Sequence, residues 1–83
     1  MTMYYVYILE CKDKTLYVGS TNDIEKRLHQ HNTLKSGAHY TKIRRPVILK
    51  YHEACNTKGQ ALTREAEIKR LKREEKLALC EST

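Results

Sequence analysis

Two charged residues of this 83-residue sequence fall where an amphipathic helix should be apolar, and the first of them is Glu65. At about 100° per residue, Glu65 lies inside the apolar arc of its predicted helix. That arc is marked by Ala61, Leu62 and Ile68. Burying a carboxylate is costly unless a cation, a metal ion or hydrogen-bond donors compensate it. Glu65 is therefore a candidate functional residue that needs such a partner, and a partly buried salt bridge or a rim position is the structural alternative.

Arg27 is the second charged residue on an inward helical face. It falls between Leu34 and His31 on the side of its helix that should face the sheet. An inward guanidinium needs an anion, which is either Glu65 within the protein or a phosphate outside it. His31 shares this stripe, where it is either a core residue or a catalytic one. Both interpretations stay open from the spacing alone.

Two tyrosines are singled out by their positions on neighbouring predicted strands. Aromatic and β-branched residues predict strands at 4–9 and 16–19, close enough in sequence for an antiparallel hairpin. With a loop centred near Lys12, Tyr7 and Tyr17 face each other. Residues directly opposite have Cβ atoms about 4.5 to 5.5 Å apart, so two phenol groups are predicted side by side.

The first helix must present Arg27 to this hairpin. Asn22 and Glu25 have the spacing of a capping box, which predicts the start of the helix at Asn22. The segment 35–45 contains Ser and Gly, lacks periodicity and precedes Pro46, so it is predicted to be a loop. A third strand is predicted over 47–52.

The second capping box, Thr57 with Gln60, opens the helix that carries Glu65. This helix is predicted to run to about Leu71, with a further helical turn or two over 72–79. The first strand is apolar on both faces, which is typical of a strand covered on both sides. The predicted fold is a small α+β domain with a three-stranded antiparallel sheet flanked by helices, in the order β-β-α-β-α-α.

The distribution of charge favours an anionic partner. The formal net charge is +6, and no acidic residue occurs from Lys26 to His52. Within this stretch the candidate nucleic-acid-binding residues are Lys35, Lys42, Arg44 and Arg45. A segment of one sign is typical of contact with a polyanion such as nucleic acid, although a solvated basic loop or an acidic protein partner is also compatible with it.

Length, cysteines and hydropathy limit the remaining classes. A chain of this size suits one domain over 1–83, and we expect it to be a monomer. Its three cysteines are odd in number and far apart, which favours a reducing, cytoplasmic location. No run approaches the roughly 20 apolar residues that span a bilayer, so we expect no membrane contact.

Several short motifs, each weak alone, occur together in a defined order. Tyr5-Val6-Tyr7 is similar to Gly-Ile-Tyr with its first glycine replaced, and Tyr17-Val18-Gly19 is similar to Tyr-Ile-Gly. Further matches are Arg27-Leu28 with His31-Asn32, Gly37-Ala38 with Tyr40-Thr41, and Ala61-Leu62-Thr63-Arg64-Glu65. Nearly the whole chain therefore resembles the GIY-YIG endonuclease superfamily, specifically its small single-domain bacterial members.

The resemblance implies hydrolysis of phosphodiester bonds with one divalent metal, Mg²⁺ or Mn²⁺, held by Glu65. Tyr17 would be the general base or the group that orients water, with Tyr7 supporting the nucleophile by hydrogen bonding. Arg27 would neutralise charge on the scissile phosphate, and His31 would be an auxiliary proton acceptor. Gly19 would be a structural residue of the second strand motif.

The departures from the family pattern concern specificity. Larger family nucleases add a recognition domain, and some carry an asparagine after the acidic helix, neither of which is found in this sequence. We therefore expect DNA as the substrate, in repair or in branched or single-stranded forms, with a protein partner as a further source of specificity. A non-catalytic nucleic-acid-binding module on the same scaffold is the alternative.

Overall fold

The structure, a computed structural model, describes residues 3–33 and 45–81. Its strands are β1, Tyr4–Glu10; β2, Leu16–Thr21; and β3, Ile48–Cys55. Its helices are α1, Ile24–Thr33; α2, Lys58–Lys69; and α3, Arg73–Glu81. The order β-β-α-β-α-α within these residues confirms the predicted order and the α+β class.

The three strands form an antiparallel sheet in the order β2-β1-β3. β1 is central, as predicted, and its residues 6–9 are all buried because helices cover both faces of the sheet. The flanking strands extend further than their patterns predicted, β2 to Thr21 and β3 to Cys55. The strand order makes β2 an edge strand of the sheet formed by the described residues.

One face of the sheet has a purely apolar core, and we call it the aliphatic face. It is built by Val6, Ile8, Val18, Ala61 and Ile68, with α2 and α3 supplying the covering helices. Ile8 and Ile68 are both fully buried. Burial of this kind contributes roughly 25 cal/mol per Å² of apolar surface and is the main stabilising term of the domain.

The opposite face carries polar atoms inside its core, and we call it the tyrosine face. Its buried members are Tyr7, Leu9, Cys11 and Val47, packed with Tyr17, Leu28 and Leu49. α1 covers this face through Leu28 and the fully buried His31. The inward orientation predicted for His31 is confirmed.

The β1–β2 hairpin corrects the predicted register. Tyr7 lies opposite Gly19, and Tyr17 lies opposite Leu9, so the two tyrosines are diagonal rather than directly opposite. The turn includes Lys14 in the left-handed region, with φ 71°, and the Lys14 amide donates to the Cys11 carbonyl over 2.9 Å. A three-residue loop of this type displaces the centre of the hairpin beyond Lys12.

The helix starts agree with one capping prediction and correct the other. Thr57 caps α2 as predicted, because its Oγ1 accepts the Gln60 amide at 3.1 Å. α1 begins one residue later than predicted. Asp23, not Asn22, is its cap, because Asp23 Oδ1 accepts the amide of Lys26 at 3.1 Å.

Across 3–33 and 45–81, none of the helices combines the length and the apolar character required to cross a bilayer.

Candidate active site

A buried hydrogen bond between β1 and α1 forms the centre of the tyrosine face. The Tyr7 hydroxyl lies 3.0 Å from His31 Nε2. Tyr7 is 3% exposed and His31 is 0% exposed, so water does not compete for this bond. The two rings meet edge to face with centroids 6.0 Å apart. The bond therefore fixes the direction of the Tyr7 hydroxyl.

Tyr7 keeps its proton in this environment. Burial raises the pKa of its phenol from 10.0 to about 12. A side-chain interaction with Arg27 opposes this rise, whereas Tyr17 and Glu65 add to it. Three of the predicted site residues therefore act electrostatically on one hydroxyl. At neutral pH Tyr7 is a hydrogen-bond donor and not a base.

His31 is neutral for the same reason. Burial lowers the pKa of its imidazole from 6.5 to about 4, and the charges of Arg27 and Arg45 add to the shift. Tyr7 keeps its proton, and the neighbouring Arg27 is unable to accept it because a guanidinium has only donors. We therefore assign the Tyr7 hydroxyl as the donor to His31 Nε2. The imidazole proton is then on Nδ1.

Arg27 lies beside this pair and is held by its own helix. It is half-buried, and its Nη1 donates to Gln30 Oε1 over 3.0 Å. In the described part of the chain Glu65 pairs with Lys69 rather than with Arg27. The structural alternative of an Arg27–Glu65 ion pair is therefore not what is observed. The guanidinium lies where it acts on both buried partners of the Tyr7–His31 bond.

Gly19 allows the two tyrosine rings to converge over the edge strand. A Cβ at this position would lie 2.5 Å from the Tyr7 hydroxyl oxygen and 3.2 Å from Tyr17 Cε1. No side chain other than hydrogen fits without displacing Tyr7. The sequence motif therefore has a steric cause, because glycine lets the Tyr7 ring lie across β2.

Tyr17 is the more accessible of the two phenols. It is half-buried, and its ring centroid lies 5.1 Å from that of His31 in an edge-to-face contact. His31 thus contacts both tyrosine rings. The diagonal pairing keeps both tyrosines on one face, so the error in the predicted register does not separate them.

Glu65 reaches the edge strand from the other side of the sheet. Its side chain is 17% exposed, and its two oxygens have different partners. Ser20 Oγ donates to Oε1 over 2.7 Å, and Lys69 Nζ contacts Oε2 at 2.7 Å. Ser20 follows Gly19 in β2 and faces the opposite way. The candidate site therefore straddles β2, with the tyrosines on one face and the carboxylate on the other.

The apolar arc that pointed to Glu65 is narrower than predicted. Ala61 and Ile68 are buried as expected, but Leu62 is 50% exposed. Glu65 lies at the border of this arc, where a carboxylate keeps access to ions. The salt-bridge alternative from the sequence is also realised, through Lys69.

The donors around Glu65 fit a divalent ion that keeps most of its water. Within residues 3–33 and 45–81, no group of three or more His, Cys, Asp or Glu side chains could hold a metal. Glu65 and Ser20 offer hard oxygen atoms, which suit Mg²⁺ better than a softer metal. An open cavity of about 290 Å³ adjoins Ser20 and leaves room for water. It is lined by Tyr4, Ser20, Thr21, Asn22, Lys58 and Ala61.

Arg45 has a structural contact in addition to its predicted role with nucleic acid. Its Nε donates to the His31 carbonyl, and its Nη2 donates to the Gln30 carbonyl at 3.2 Å, so it caps the C-terminal end of α1. The other predicted nucleic-acid-binding residues lie outside the described residues. They are Lys35, Lys42 and Arg44.

The sequence interpretation missed three side chains that hold the site together. Gln30 binds Arg27, Ser20 binds Glu65, and Lys69 pairs with Glu65. The contacts of Gln30 and Lys69 could have been predicted from the sequence, because residues three or four apart on a helix are neighbours. The contact of Ser20 joins a strand to α2 across 45 positions of sequence, and no local pattern reports it.

An antiparallel three-stranded sheet with helices on both faces and a Tyr-Arg-His-Glu cluster across its edge strand is the arrangement expected of a GIY-YIG domain. Residues 3–78 match the family model described as the GIY-YIG catalytic domain, and the chain belongs to this family.

Relatives of similar length carry one shared name. The chain is 57% identical over 79 residues to a UPF0213 protein of Syntrophus aciditrophicus, covering 95% of this chain and 91% of that protein. It is 54% identical to UPF0213 protein SSP2268 of Staphylococcus saprophyticus, over 95% of both chains. The solution NMR structure of UPF0213 protein BH0048 from Bacillus halodurans matches with a TM-score of 0.62 and 40% identity, covering 98% of this chain and 85% of that one.

Proposed function

We propose that this protein is a metal-dependent endonuclease that hydrolyses phosphodiester bonds in DNA. The observation that carries the proposal is the convergence on the Tyr7 hydroxyl. His31 accepts its hydrogen bond, and Arg27, Tyr17 and Glu65 all act on it electrostatically. A purely structural core has no need to place a half-buried guanidinium beside a buried phenol and imidazole, with a carboxylate tied to the same edge strand.

The two tyrosines have different tasks in this proposal. Tyr17, the more accessible phenol, orients the attacking water and is the candidate general base. Tyr7, with a pKa of about 12, gives its one hydroxyl proton to the bond with His31 and does not remove a proton at neutral pH, so it supports the nucleophile as a hydrogen-bond acceptor. His31, with a pKa of about 4, is a poor proton acceptor at neutral pH and instead fixes the direction of the Tyr7 hydroxyl. This assignment turns the auxiliary acceptor expected from the sequence into a positioning residue.

The charges around the tyrosines act on the phosphate. Arg27 neutralises negative charge that develops on the scissile phosphate, and its contact with Gln30 holds the guanidinium in place. Glu65 would hold Mg²⁺ or Mn²⁺, with Ser20 fixing the orientation of its carboxylate. When bound, a divalent ion supplies electrostatic stabilisation of the leaving oxygen.

The substrate and setting are part of the same proposal. The formal net charge of +6 and the basic stretch from Lys26 to His52 support binding to the phosphate backbone. Branched or single-stranded DNA in repair is the proposed substrate, in a cytoplasmic monomer to which a protein partner adds specificity. The binding segment is tested by changing Lys35, Lys42 and Arg44 together to alanine. We expect the salt dependence of DNA affinity to flatten by about one unit per lost phosphate contact.

Catalysis is tested by incubating single-stranded, duplex, nicked and branched DNA with Mg²⁺ or Mn²⁺. Glu65→Gln should reduce the cleavage rate at least about a hundredfold, with DNA affinity retained. Glu67→Gln is the matched control, because it makes the same change on the exposed side of α2. Salt-sensitive DNA binding without cleavage of any substrate by the unmodified protein would contradict the nuclease proposal and favour a binding module.

A further inference from the structure

Lys69 occupies the position of a cation at the candidate metal ligand. Its Nζ lies 2.7 Å from Glu65 Oε2, one helical turn further along α2. The other oxygen, Oε1, accepts the Ser20 hydroxyl at 2.7 Å. Both carboxylate oxygens therefore have a partner, and one of these partners is positively charged.

We propose that Lys69 is a built-in competitor for the divalent ion, so that its ammonium and the metal bind Glu65 in a mutually exclusive manner. Two cations on one carboxylate repel each other strongly at such short range. An ion such as Mg²⁺ also needs its carboxylate oxygen at about 2.1 Å, in near-octahedral geometry that the ammonium obstructs. Metal binding therefore requires Lys69 to leave.

The burial of the two side chains shows which of them moves. Lys69 is 55% exposed, whereas Glu65 is 17% exposed and is tied to β2 by Ser20. The ammonium is able to rotate into solvent on its flexible four-carbon stem without disturbing the core. Glu65 stays in place, so the metal ion replaces the Lys69 ammonium without any movement of the carboxylate.

The inference rests on the proposed function, because it assumes that Glu65 is the metal ligand. It is tested without any nucleic acid, by titrating the protein with Mn²⁺ and following free Mn²⁺ by electron paramagnetic resonance. Lys69→Met removes the ammonium and should tighten Mn²⁺ binding about three- to tenfold, since a partly exposed ion pair of this type has a modest strength. Lys69→Arg keeps the charge and should bind Mn²⁺ no more tightly than the unmodified protein.

Lys12→Met is the matched control for the loss of one positive charge. Lys12 is exposed in the β1–β2 turn, so this variant should leave Mn²⁺ affinity within about twofold of the original. Glu65→Gln in the Lys69→Met background identifies the binding that belongs to Glu65, because it should abolish the gain.

The outcomes distinguish the competitor role of Lys69 from the proposed role of Glu65 as the metal ligand. Binding that depends on Glu65 but is equal or weaker in Lys69→Met would overturn the competitor role and leave the metal site intact. An equal gain in Lys12→Met would reduce the effect to net charge and would also overturn it. Mn²⁺ binding that is unaffected by Glu65→Gln in every background would overturn both the metal site and the inference.

Discussion

The two faces of the sheet differ in what fills them. The buried side chains of the aliphatic face carry no polar atom, and Ile8 and Ile68 lie at its centre. The tyrosine face buries a phenol and an imidazole as a hydrogen-bonded pair, beside a half-buried guanidinium. Polar groups of this kind lose their hydrogen bonds to water on burial, and only hydrogen bonds to partners within the protein compensate for that loss. We propose that the aliphatic face mainly stabilises the domain, and that the tyrosine face carries its chemistry together with Glu65, which reaches β2 from the other side.

The largest expected effect comes from the aliphatic face. Ile68→Ala deletes a fully buried side chain and should lower the free energy of unfolding by about 2 to 5 kcal/mol, measured by urea denaturation. Leu62→Ala, on the same helix but 50% exposed, should change it by less than about 0.5 kcal/mol. Equal losses in the two variants would contradict the position assigned to the core.

The tyrosine face should instead make stability depend on pH. The pKa of His31 is about 4 in the folded state against 6.5 in an ordinary environment. Between pH 6.5 and 4, His31 binds a proton in the unfolded chain but stays neutral in the folded chain. The free energy of unfolding therefore falls as the pH is lowered from 6.5 to 4, and it rises again as the pH is raised. The total change is on the order of 3 kcal/mol.

His31→Gln removes this titration and retains an amide that is able to bond to Tyr7. Urea denaturation of both proteins at several pH values between 7 and 4 should give a shallower pH dependence for the variant. Parallel curves would show that His31 does not stay neutral in the folded state.

The contact between the two tyrosines and β2 is tested by Gly19→Ala. The added Cβ would lie 2.5 Å from the Tyr7 hydroxyl oxygen and 2.7 Å from its Cζ, so the ring must move. We expect a loss of about 2 kcal/mol and a change in the His31 imidazole signals in NMR spectra. Gly59→Ala is the matched control, because its nearest non-neighbouring atom is Thr57 Oγ1 at 3.9 Å. A stable Gly19→Ala protein with unchanged His31 signals would contradict the described packing.

The smallest expected effect lies in the hairpin turn between β1 and β2, which sets the register of these two strands. Lys14 has a φ of 71°, which glycine adopts at little steric cost. Lys14→Gly should raise the free energy of unfolding by about 0.5 kcal/mol. Lys12→Gly, in the same turn, should give no gain. If Lys14→Gly lowered the free energy of unfolding by as much as Lys12→Gly does, the left-handed conformation of Lys14 would be contradicted.

The helical periodicity in the sequence predicted which helical side chains face the sheet, because it depends on local spacing. His31 is buried, as a 100° step predicts, whereas Glu65 lies at the border of the apolar arc rather than inside it. The hairpin register was wrong because the turn has no glycine at the left-handed position, where Lys14 stands. The sequence therefore gave no sign of the three-residue loop.

Some contacts around the site were beyond prediction because they join distant parts of the chain. Ser20 meets Glu65 only after β2 and α2 have packed on each other. Asn32 similarly holds the start of the third strand, accepting the Val47 amide at 2.8 Å and donating to its carbonyl at 3.2 Å. Such pairs depend on the tertiary fold, so local propensity does not contain them.

The division of labour between the faces is tested most directly by removing one tyrosine hydroxyl from each of them and measuring DNA cleavage with Mg²⁺. Tyr17→Phe changes the tyrosine face, and Tyr51→Phe changes the aliphatic face, where the hydroxyl donates to Glu53. We predict that Tyr17→Phe slows cleavage at least about a hundredfold with DNA affinity retained, whereas Tyr51→Phe leaves the rate within about threefold. Equal rates in the two variants would contradict the assignment of the chemistry to the tyrosine face.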